Sequence, residues 1–318
     1  MPILTVRHLT EYRYTRPVGF GEHRIIFRPR DSYDQRLLDA RIHIVPAPSK
    51  LRWLHDVFGN CVAVAQFEAR SDTLRFESVI RLDHSSAHAL DFAIEDYAET
   101  YPFTYGAEDM PDLIRCIERQ YLDPDHEVDR WARQFVSERR HNPTYNLLAE
   151  MTCAIKRDFR YLARAEKGVQ DPISTLQLGS GSCRDFAVLM MEAARSLGMA
   201  ARFVSGYLYV PSRDGTGHVG GGSSHAWVQV YLPGAGWVEF DPTNGIVGNR
   251  DLIRVAVARD PRQAIPLWGT WYGETSEYIG MTTEVQVTSA DESLAQTGTT
   301  SGGSGAPLPV FAGQDHQE

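Results

Sequence analysis

A cysteine, a histidine and an aspartate occupy positions in this sequence where their chemistry could be used together. Cys183 stands between the run Gly-Ser-Gly-Ser and an apolar segment, His225 begins the run His-Ala-Trp-Val, and Asp241 ends the run Trp-Val-Glu-Phe-Asp. A thiol becomes a strong nucleophile when it ionises, and its pKa falls at a helix N-terminus or beside a protonated imidazole. The three residues therefore have the types needed for a nucleophile, its base and the group that orients the base.

A helix is predicted directly after the cysteine. Apolar residues recur at helical spacing over residues 186–197, which predicts an amphipathic helix with one buried face, and Gly198 follows where a left-handed C-cap is favoured. Cys183 then lies at the helix N-terminus, where the helix dipole favours a thiolate. Gly179 and Gly181 let the backbone approach a substrate carbonyl closely, so a backbone N–H near Cys183 is a candidate oxyanion donor.

The histidine and the aspartate are predicted on the two strands of a β-hairpin. Residues alternate on both sides of the turn Pro-Gly-Ala-Gly, with His225 opening one strand and Asp241 closing the other. A loop with an odd number of residues, such as 233–235, puts both residues on one face as diagonal neighbours, whereas an even loop needs a bulge. We predict the odd loop or the bulge. Asp241 would then bind one imidazole nitrogen and leave the other for Cys183.

Four segments across about residues 145 to 250 resemble, in order and spacing, the core of the transglutaminase-like superfamily. The likeness is closest to the bacterial branch assigned as cysteine proteases, and residues 12–14, 27–30 and 56–60 resemble the β-rich domain that precedes the core in that branch. The four core segments are Gly181-Ser-Cys-Arg-Asp-Phe-Ala187, Arg202-Phe-Val-Ser-Gly-Tyr-Leu208, Ser224-His-Ala-Trp-Val228 and Trp237-Val-Glu-Phe-Asp-Pro-Thr-Asn244.

The resemblance implies an α+β protein with a β-rich N-terminal domain and a papain-like, transglutaminase-like core. In such a core the helix bearing Cys183 packs on an antiparallel sheet bearing His225 and Asp241, and the three residues form the catalytic triad. The resemblance does not settle the reaction, because the superfamily contains hydrolases, acyl transferases and inactive members.

The hydrophobic pattern divides the chain into four parts. Period-2 alternation predicts a β-rich domain over 1–85, and a helical period predicts a helical connection over 86–145. The catalytic core is expected over 146–288, with the strands after Asn244 packing onto its sheet. Residues 289–318 have no hydrophobic face and are expected to be a disordered tail.

Helix boundaries in the connection follow from prolines. Pro111 is predicted at N1 of one helix, and Asn142-Pro143 as the N-cap and N1 of another. Asp185, in the first turn after the cysteine, is predicted to cap that helix or to interact with its dipole. The glycine-rich segment 214–224 is either a mobile rim over the site or a plain hairpin loop.

Three further residues are candidates for binding the oxyanion or the substrate. Gln177 precedes Cys183 by six positions, the offset of the oxyanion-hole glutamine in papain-type proteases. The hydroxyl of Tyr161 is an alternative donor, and Trp227 lies in the histidine motif. The competing interpretation is that Gln177 is a surface helix residue and Tyr161 a core aromatic residue.

Composition excludes several classes of function. The net charge of −9 and the pI near 5.7 argue against nucleic acid or an anionic membrane surface as a partner. No apolar run approaches the ~18 residues of a membrane span, and the first residues lack the features of a signal peptide, so a cytoplasmic protein is expected. No motif for a metal or a cofactor is present, and none is expected.

Four widely spaced cysteines without a CxxC pair suit a reducing compartment. Cys61, Cys116 and Cys153 are predicted to be small buried hydrophobic residues.

These observations favour a thiol-dependent amide-bond hydrolase that acts on a peptide or protein through a thioester acyl-enzyme. Two alternatives stay open at this point. An amine acceptor in place of water would make the protein an acyl transferase of transglutaminase or peptide-ligase type, and a protein that keeps the fold without the activity would be a binding module.

Overall fold

The N-terminal part of the protein is a β-structure organised around one long strand. The computed structural model describes residues 3–85, 93–137, 141–163, 168–210 and 222–289. Its first five strands are β1 (Ile3–Ile25), β2 (Gln35–Val45), β3 (Lys50–His55), β4 (Cys61–Gln66) and β5 (Ser71–His84). They are hydrogen-bonded in the order β2-β5-β1-β4-β3.

Strand β1 takes part in two groups of strands. Its residues 3–13 pair with β5, and after a register shift its residues 23–25 pair with β4. Side chains from β1, β2, β4 and β5 form one hydrophobic cluster. Its buried members are Tyr14, Val18, Phe20, Ile25, Phe27, Ile44, Ala63, Ala65, Leu74 and Phe76.

Three helices follow: α1 (Met110–Ile117), α2 (Glu127–Arg133) and α3 (Thr144–Asp158). The prediction that Asn142 caps α3 is wrong, because α3 begins after Pro143 and its N-cap has no side-chain hydrogen bond. The amide of Asn142 instead accepts from the backbone N–H of Ser137 at 2.8 Å and donates to the Ser137 carbonyl at 3.0 Å.

The core domain combines short elements, one central helix and a five-stranded antiparallel sheet. Its elements are β6 (Arg160–Tyr161), α4 (Pro172–Leu178), β7 (Ser180–Gly181), α5 (Cys183–Ser196), β8 (Ala201–Leu208), β9 (His225–Leu232), β10 (Gly236–Asp241), β11 (Ile246–Val247) and β12 (Leu252–Ala258). The sheet order is β11-β10-β9-β8-β12, and α5 packs on β8 and β9. The predicted α+β fold class is confirmed.

Helix α5 is buried on all sides, which the amphipathic pattern does not predict. Helices α2, α3 and α4 cover the side that does not face the sheet. The polar side chains on that side have hydrogen-bond partners within the core. The carboxylate of Glu192 accepts from Arg195 at 2.9 Å and from Arg119 at 3.1 Å. Gly198 has a φ of +82°, as the predicted left-handed C-cap requires.

The expectation that every late strand joins the core sheet is wrong for the last two strands. Strand β12 pairs with β8 in the core, but β13 (Leu267–Tyr272) and β14 (Tyr278–Ser289) pair with β1. An alternating pattern predicts that a strand exists, but it does not identify the partner. The C-terminal strands therefore complete the N-terminal β-structure. Within the described residues, no helix has the length and hydropathy needed to cross a membrane.

The N-terminal domain covers the outer edge of β12 with two side-chain amides. Gln35 accepts from the Arg254 backbone N–H at 2.9 Å and donates to its carbonyl at 2.8 Å. Asn60 does the same for Val257, at 2.9 and 2.8 Å. The amides thus replace the hydrogen bonds that a neighbouring strand would make, and they satisfy an edge that would otherwise be left unpaired.

Substitution of Asn60 tests this docking contact. Asn60→Ala leaves the N–H and carbonyl of Val257 without their partner, so we expect the free energy of unfolding to fall by about 1–3 kcal/mol. Urea denaturation measures the change. The matched control is Asn146→Ala on the exposed side of α3, which should change stability by less than about 0.5 kcal/mol. Equal stability of the two variants would contradict the proposed role of Asn60.

Candidate active site

The N-terminus of α5 is held by a buried carboxylate. Asp185 accepts from the Ser182 backbone N–H and hydroxyl, both at 2.8 Å, and from the Gln170 backbone N–H at 2.7 Å. These bonds confirm that Asp185 acts as a cap. Gly181 makes the close turn possible, since a Cβ atom there would lie 2.9 Å from Cβ of Asp185. Cys183 is thereby fixed as the first residue of α5, where backbone N–H groups have no partner within the helix.

The hairpin has the three-residue loop that the sequence predicts. Gly236 pairs with Leu232, which leaves residues 233–235 as the loop, and Phe240 pairs with Val228. Continuing this register places Asp241 opposite Trp227, two residues along from His225. The two residues of the predicted triad therefore share one face of the sheet as diagonal neighbours.

Asp241 binds the imidazole of His225 directly. The Nε2 atom of His225 lies 2.8 Å from Oδ2 of Asp241, and both side chains are fully buried. Asp241 also accepts from the Asn244 side-chain amide at 2.8 Å and from the Thr243 backbone N–H at 2.9 Å. Apart from the Cys183 thiol, Nδ1 of His225 has no hydrogen-bond partner within the described part of the chain, so it is the nitrogen that serves the thiol.

Asn244 is a site residue that the sequence reasoning did not single out. Its amide donates to the same oxygen of Asp241 that binds His225. The signal was available, because Asn244 closes the motif segment that contains Asp241, but spacing alone did not show that the chain turns back onto the carboxylate. Asn244 thus helps to fix the orientation of the carboxylate.

The protonation states favour an ion pair between Cys183 and His225. Burial opposes ionisation of the Cys183 thiol, but the hydrogen bond and charge of His225, together with the charge of Arg184, lower its pKa. Burial likewise opposes the charged imidazole, but Asp241 and Cys183 raise the pKa of His225 to about 10. Burial would raise the pKa of Asp241, but the charge and hydrogen bonds around it lower this pKa. All three shifts therefore favour the charged forms, a thiolate, an imidazolium and a carboxylate.

Of the three further candidates, Tyr161 lies beside the segment that leads into α5. It pairs with Gly181 in the parallel β6–β7 ladder and is half-buried. Burial raises the pKa of its phenol, and the nearby charges of Cys183 and Asp241 raise this pKa further.

Of the other two candidates, one binds a surface residue and the other is buried in the interior. The Gln177 side chain is exposed on α4 and donates to Glu127 at 3.0 Å, as a surface helix residue does. Trp227 is fully buried, and its ring stacks on that of His225 with centroids 5.9 Å apart. Trp227 therefore packs behind the imidazole in the interior of the protein.

The remaining cysteines do not form a group with Cys183. Cys153 is exposed on α3, and Cys61 and Cys116 are partly buried. The prediction of three small buried residues is therefore wrong for Cys153, which lies on the outer face of α3.

Within the described residues no cluster of three or more metal-binding side chains occurs. Residues 214–221 of the glycine-rich segment and residues 290–318 of the predicted tail lie outside the described residues, whereas Ser289 is the last residue of β14.

Comparison with known proteins covers both halves of the chain. Residues 130–242 match the model of the transglutaminase-like superfamily, and residues 4–83 match the model of the bacterial transglutaminase-like N-terminal region. The chain belongs to the transglutaminase-like superfamily. The superfamily match ends one residue beyond Asp241 and includes all three residues of the predicted triad.

Relatives of similar length occur in mycobacteria. An uncharacterized protein of Mycobacterium leprae is 27% identical over 285 residues, which is 89% of this chain and 98% of that protein. An uncharacterized protein of Mycobacterium tuberculosis is 28% identical over 291 residues, which is 86% of this chain and 89% of that protein. Among solved structures, a Cytophaga hutchinsonii protein described as a "Putative Cysteine Protease" has a TM-score of 0.66 and 19% identity, covering 91% of each chain. This structural likeness shows that the two proteins share a fold.

The reactivity of Cys183 as a function of pH tests the ion pair. Because the pKa of Cys183 is lowered, its thiolate persists below the ordinary thiol pKa of about 8.5 and is lost only below the lowered value. We expect alkylation of Cys183 by iodoacetamide to stay fast well below pH 7, and to lose this behaviour in His225→Ala. Peptide mass spectrometry measures the rate, with the exposed Cys153 as reference in the same sample. A rate that rises through about pH 8.5 in both proteins would contradict the ion pair.

Proposed function

We propose that the protein is a thiol-dependent amide-bond hydrolase that acts on peptides or proteins. The observation that carries this proposal is the buried 2.8 Å hydrogen bond between His225 and Asp241, which raises the pKa of the imidazole while that of Cys183 is lowered. A lowered thiol pKa beside an oriented imidazole is the arrangement that nucleophilic catalysis by cysteine needs. The description of the Cytophaga structure as a protease is in keeping with this function.

The acylation step uses the ion pair as it stands. The Cys183 thiolate attacks the carbonyl carbon of an amide, and the carbonyl oxygen takes the electron pair. As the tetrahedral intermediate collapses, the C–N bond breaks and Nδ1 of His225 gives its proton to the departing nitrogen. An amine leaves, and the acyl group stays on the sulfur as a thioester. Since Nε2 is bound to Asp241, the proton transfers take place at Nδ1.

Deacylation reverses the roles. The imidazole, now neutral, takes a proton from a water molecule at Nδ1 while the water oxygen attacks the thioester carbonyl carbon. Collapse breaks the C–S bond and releases a carboxylic acid, which restores the thiolate and the imidazolium. Asp241 keeps the imidazole in one orientation and stabilises its positive charge in both steps.

Two groups are candidates to stabilise the oxyanion. The backbone N–H of Cys183 begins α5, where the helix itself leaves N–H groups unpaired. The hydroxyl of Tyr161 is the side-chain candidate, because the residue is adjacent in the β-ladder to Gly181 and close enough to feel the charge of Cys183. Gln177 is not used in this proposal, since its amide binds Glu127.

Substitution of the triad tests this function. Purified protein is incubated with a peptide mixture made from a digested proteome, and mass spectrometry identifies new termini. Cys183→Ala and His225→Ala should lower cleavage by about 10⁴-fold or more, because each removes a group that reacts. Asp241→Ala should lower cleavage less, because this residue orients the base. Cys153→Ala, which removes an exposed thiol on α3, is the matched control and should keep full activity.

The same experiment separates hydrolysis from transfer. Added glycine ethyl ester competes with water for the thioester, and products carrying the mass of the ester would show that the protein is an acyl transferase. Cleavage by Cys183→Ala at the wild-type rate would show that the mechanism is wrong. A wild-type protein that neither cleaves nor transfers, although its thiol is activated, would reject this class of substrate.

A further inference from the structure

A cavity that the triad does not line lies on the core sheet. It has a volume of about 810 Å³ and is bounded on one side by β8, β9, β10 and β12 and on the other by residues 30–34 and 58–60 of the N-terminal domain. Cys183, His225 and Asp241 do not line it. Its volume is within the range of about 300–1,000 Å³ that small-molecule sites have.

Two of the three carboxylates in the cavity wall share one arginine, and the third, Asp31, is exposed and accepts from the backbone N–H of Leu37 at 2.7 Å. Arg254 binds Glu239 at 2.5 Å and Asp34 at 3.1 Å. Asp34 also accepts from the amide of Asn249 at 2.9 Å, and Glu239 accepts from Gln229 at 2.9 Å. Asp34 and Glu239 are therefore both paired with Arg254. Neither forms an ion pair with Arg30 or Arg202.

Arg202 is a largely buried cation of the wall, and among the described residues it has no carboxylate partner. Its Nε atom donates to Oε1 of Gln229 at 2.7 Å, and its guanidinium carbon lies 4.0 Å from the centre of the Trp237 ring. No carboxylate of the described chain lies within ion-pair distance of it. Burial lowers the pKa of Arg202 to about 10, and the more distant charge of Glu239 offsets this effect only in part.

The orientation of Arg202 is set by its neighbours. Glu239 fixes the amide of Gln229, so that its oxygen faces Arg202, and Trp237 supports the plane of the guanidinium. Since Nε is occupied, the two terminal nitrogens form the free edge. Two parallel N–H donors at such an edge match the two oxygens of a carboxylate or a phosphate.

The opening of the cavity carries one more cation and an aromatic ring. Arg30 is exposed there, and it has no ion pair among the described residues. Tyr33 lines the same cavity with 91% of its surface exposed. The guanidinium of Arg30 donates to the Phe58 carbonyl at 3.4 Å, and the exposed Tyr33 ring provides contact area for the remainder of a ligand.

We propose that this cavity binds a small ligand through a carboxylate or phosphate group seated on the free edge of Arg202, with Arg30 and Tyr33 contacting the ligand at the opening. The site requires the docked N-terminal domain, because that domain supplies one wall. It is independent of the proposed hydrolase activity, since no triad residue takes part.

Titration calorimetry on the full chain tests the site. The protein carries Cys183→Ala, so that no peptide is turned over, and three probes are compared: inorganic phosphate, N-acetyl-Ala-Tyr and N-acetyl-Ala-Tyr amide. Phosphate or the free-acid peptide should bind saturably at low ionic strength, and the amide should bind at least about tenfold more weakly. Which of the first two binds identifies the source of the oxyanion.

Variants assign the binding to this cavity. Arg202→Gln should weaken binding by about tenfold or more, the loss expected for a charge-assisted pair of hydrogen bonds. The matched control Arg36→Gln, an exposed arginine of β2 outside the cavity, should leave the affinity unchanged. Absence of saturable binding by both oxyanion probes, or binding that Arg202→Gln does not weaken, would overturn the proposal.

A labelling experiment covers the case in which Arg202→Gln does not fold. Phenylglyoxal modifies accessible arginines, and peptide mass spectrometry reads the extent at each position. Saturating phosphate or free-acid peptide should slow modification of Arg202 in the Cys183→Ala protein and leave Arg36 unaffected. Equal protection of the two arginines, or protection of neither, would also overturn the proposal.

Discussion

The hydrogen bond between His225 and Asp241 is the interaction on which the candidate site depends. A charged imidazole and a carboxylate are both expensive to bury, and the pair is stable in the interior only because each charge has a partner. Asp241 has three neighbouring donors, from His225, Asn244 and Thr243. The carboxylate is thereby held in one position, and the imidazole that it binds keeps Nδ1 free for the thiol.

Several elements of the fold serve this arrangement. The three-residue loop 233–235 sets the register that makes Asp241 a diagonal neighbour of His225. The cap formed by Asp185 fixes where α5 begins, and hence where the thiol lies. Neither element touches the reacting atoms, but a shift of one residue in either would move a triad residue to another place. The positions of the triad residues thus depend on two local features, the helix cap and the hairpin loop, which lie in separate parts of the chain.

The N-terminal domain is integrated with the core. Strands β13 and β14 return from the core to pair with β1, and Gln35 and Asn60 cover the outer edge of β12. The C-terminal part of the chain therefore ties the two domains together. One consequence is the cavity between them, which has walls from both domains and lies on the same sheet as the triad.

Those features that depend on local sequence could be predicted. The start of α5, its glycine C-cap, the capping role of Asp185 and the parity of the hairpin loop all follow from residues near one another in the chain. Features that depend on distant partners could not. The pairing of β14 with β1 and the burial of α5 on all sides are set by elements far away in sequence.

The side-chain contacts show the same limit. Asn142 has the residue type of an N-cap, yet its amide binds Ser137 instead. Gln177 has the sequence offset of an oxyanion donor, yet it binds Glu127. In both cases the residue type allows two partners, and only the three-dimensional arrangement decides between them.

The most direct test of the account is the protonation state of His225, read by ¹⁵N NMR of histidine-labelled protein, with the signal assigned through His225→Gln. We expect the ring to carry both protons at pH 7 and to deprotonate near pH 10, because Asp241 and the Cys183 thiolate raise its pKa to about 10. Asp241→Asn and Cys183→Ala should each lower that pKa. A ring that is neutral at pH 7 in the wild type, with a pKa at or below the ordinary value of about 6.5, would contradict the ion pair and the mechanism built on it.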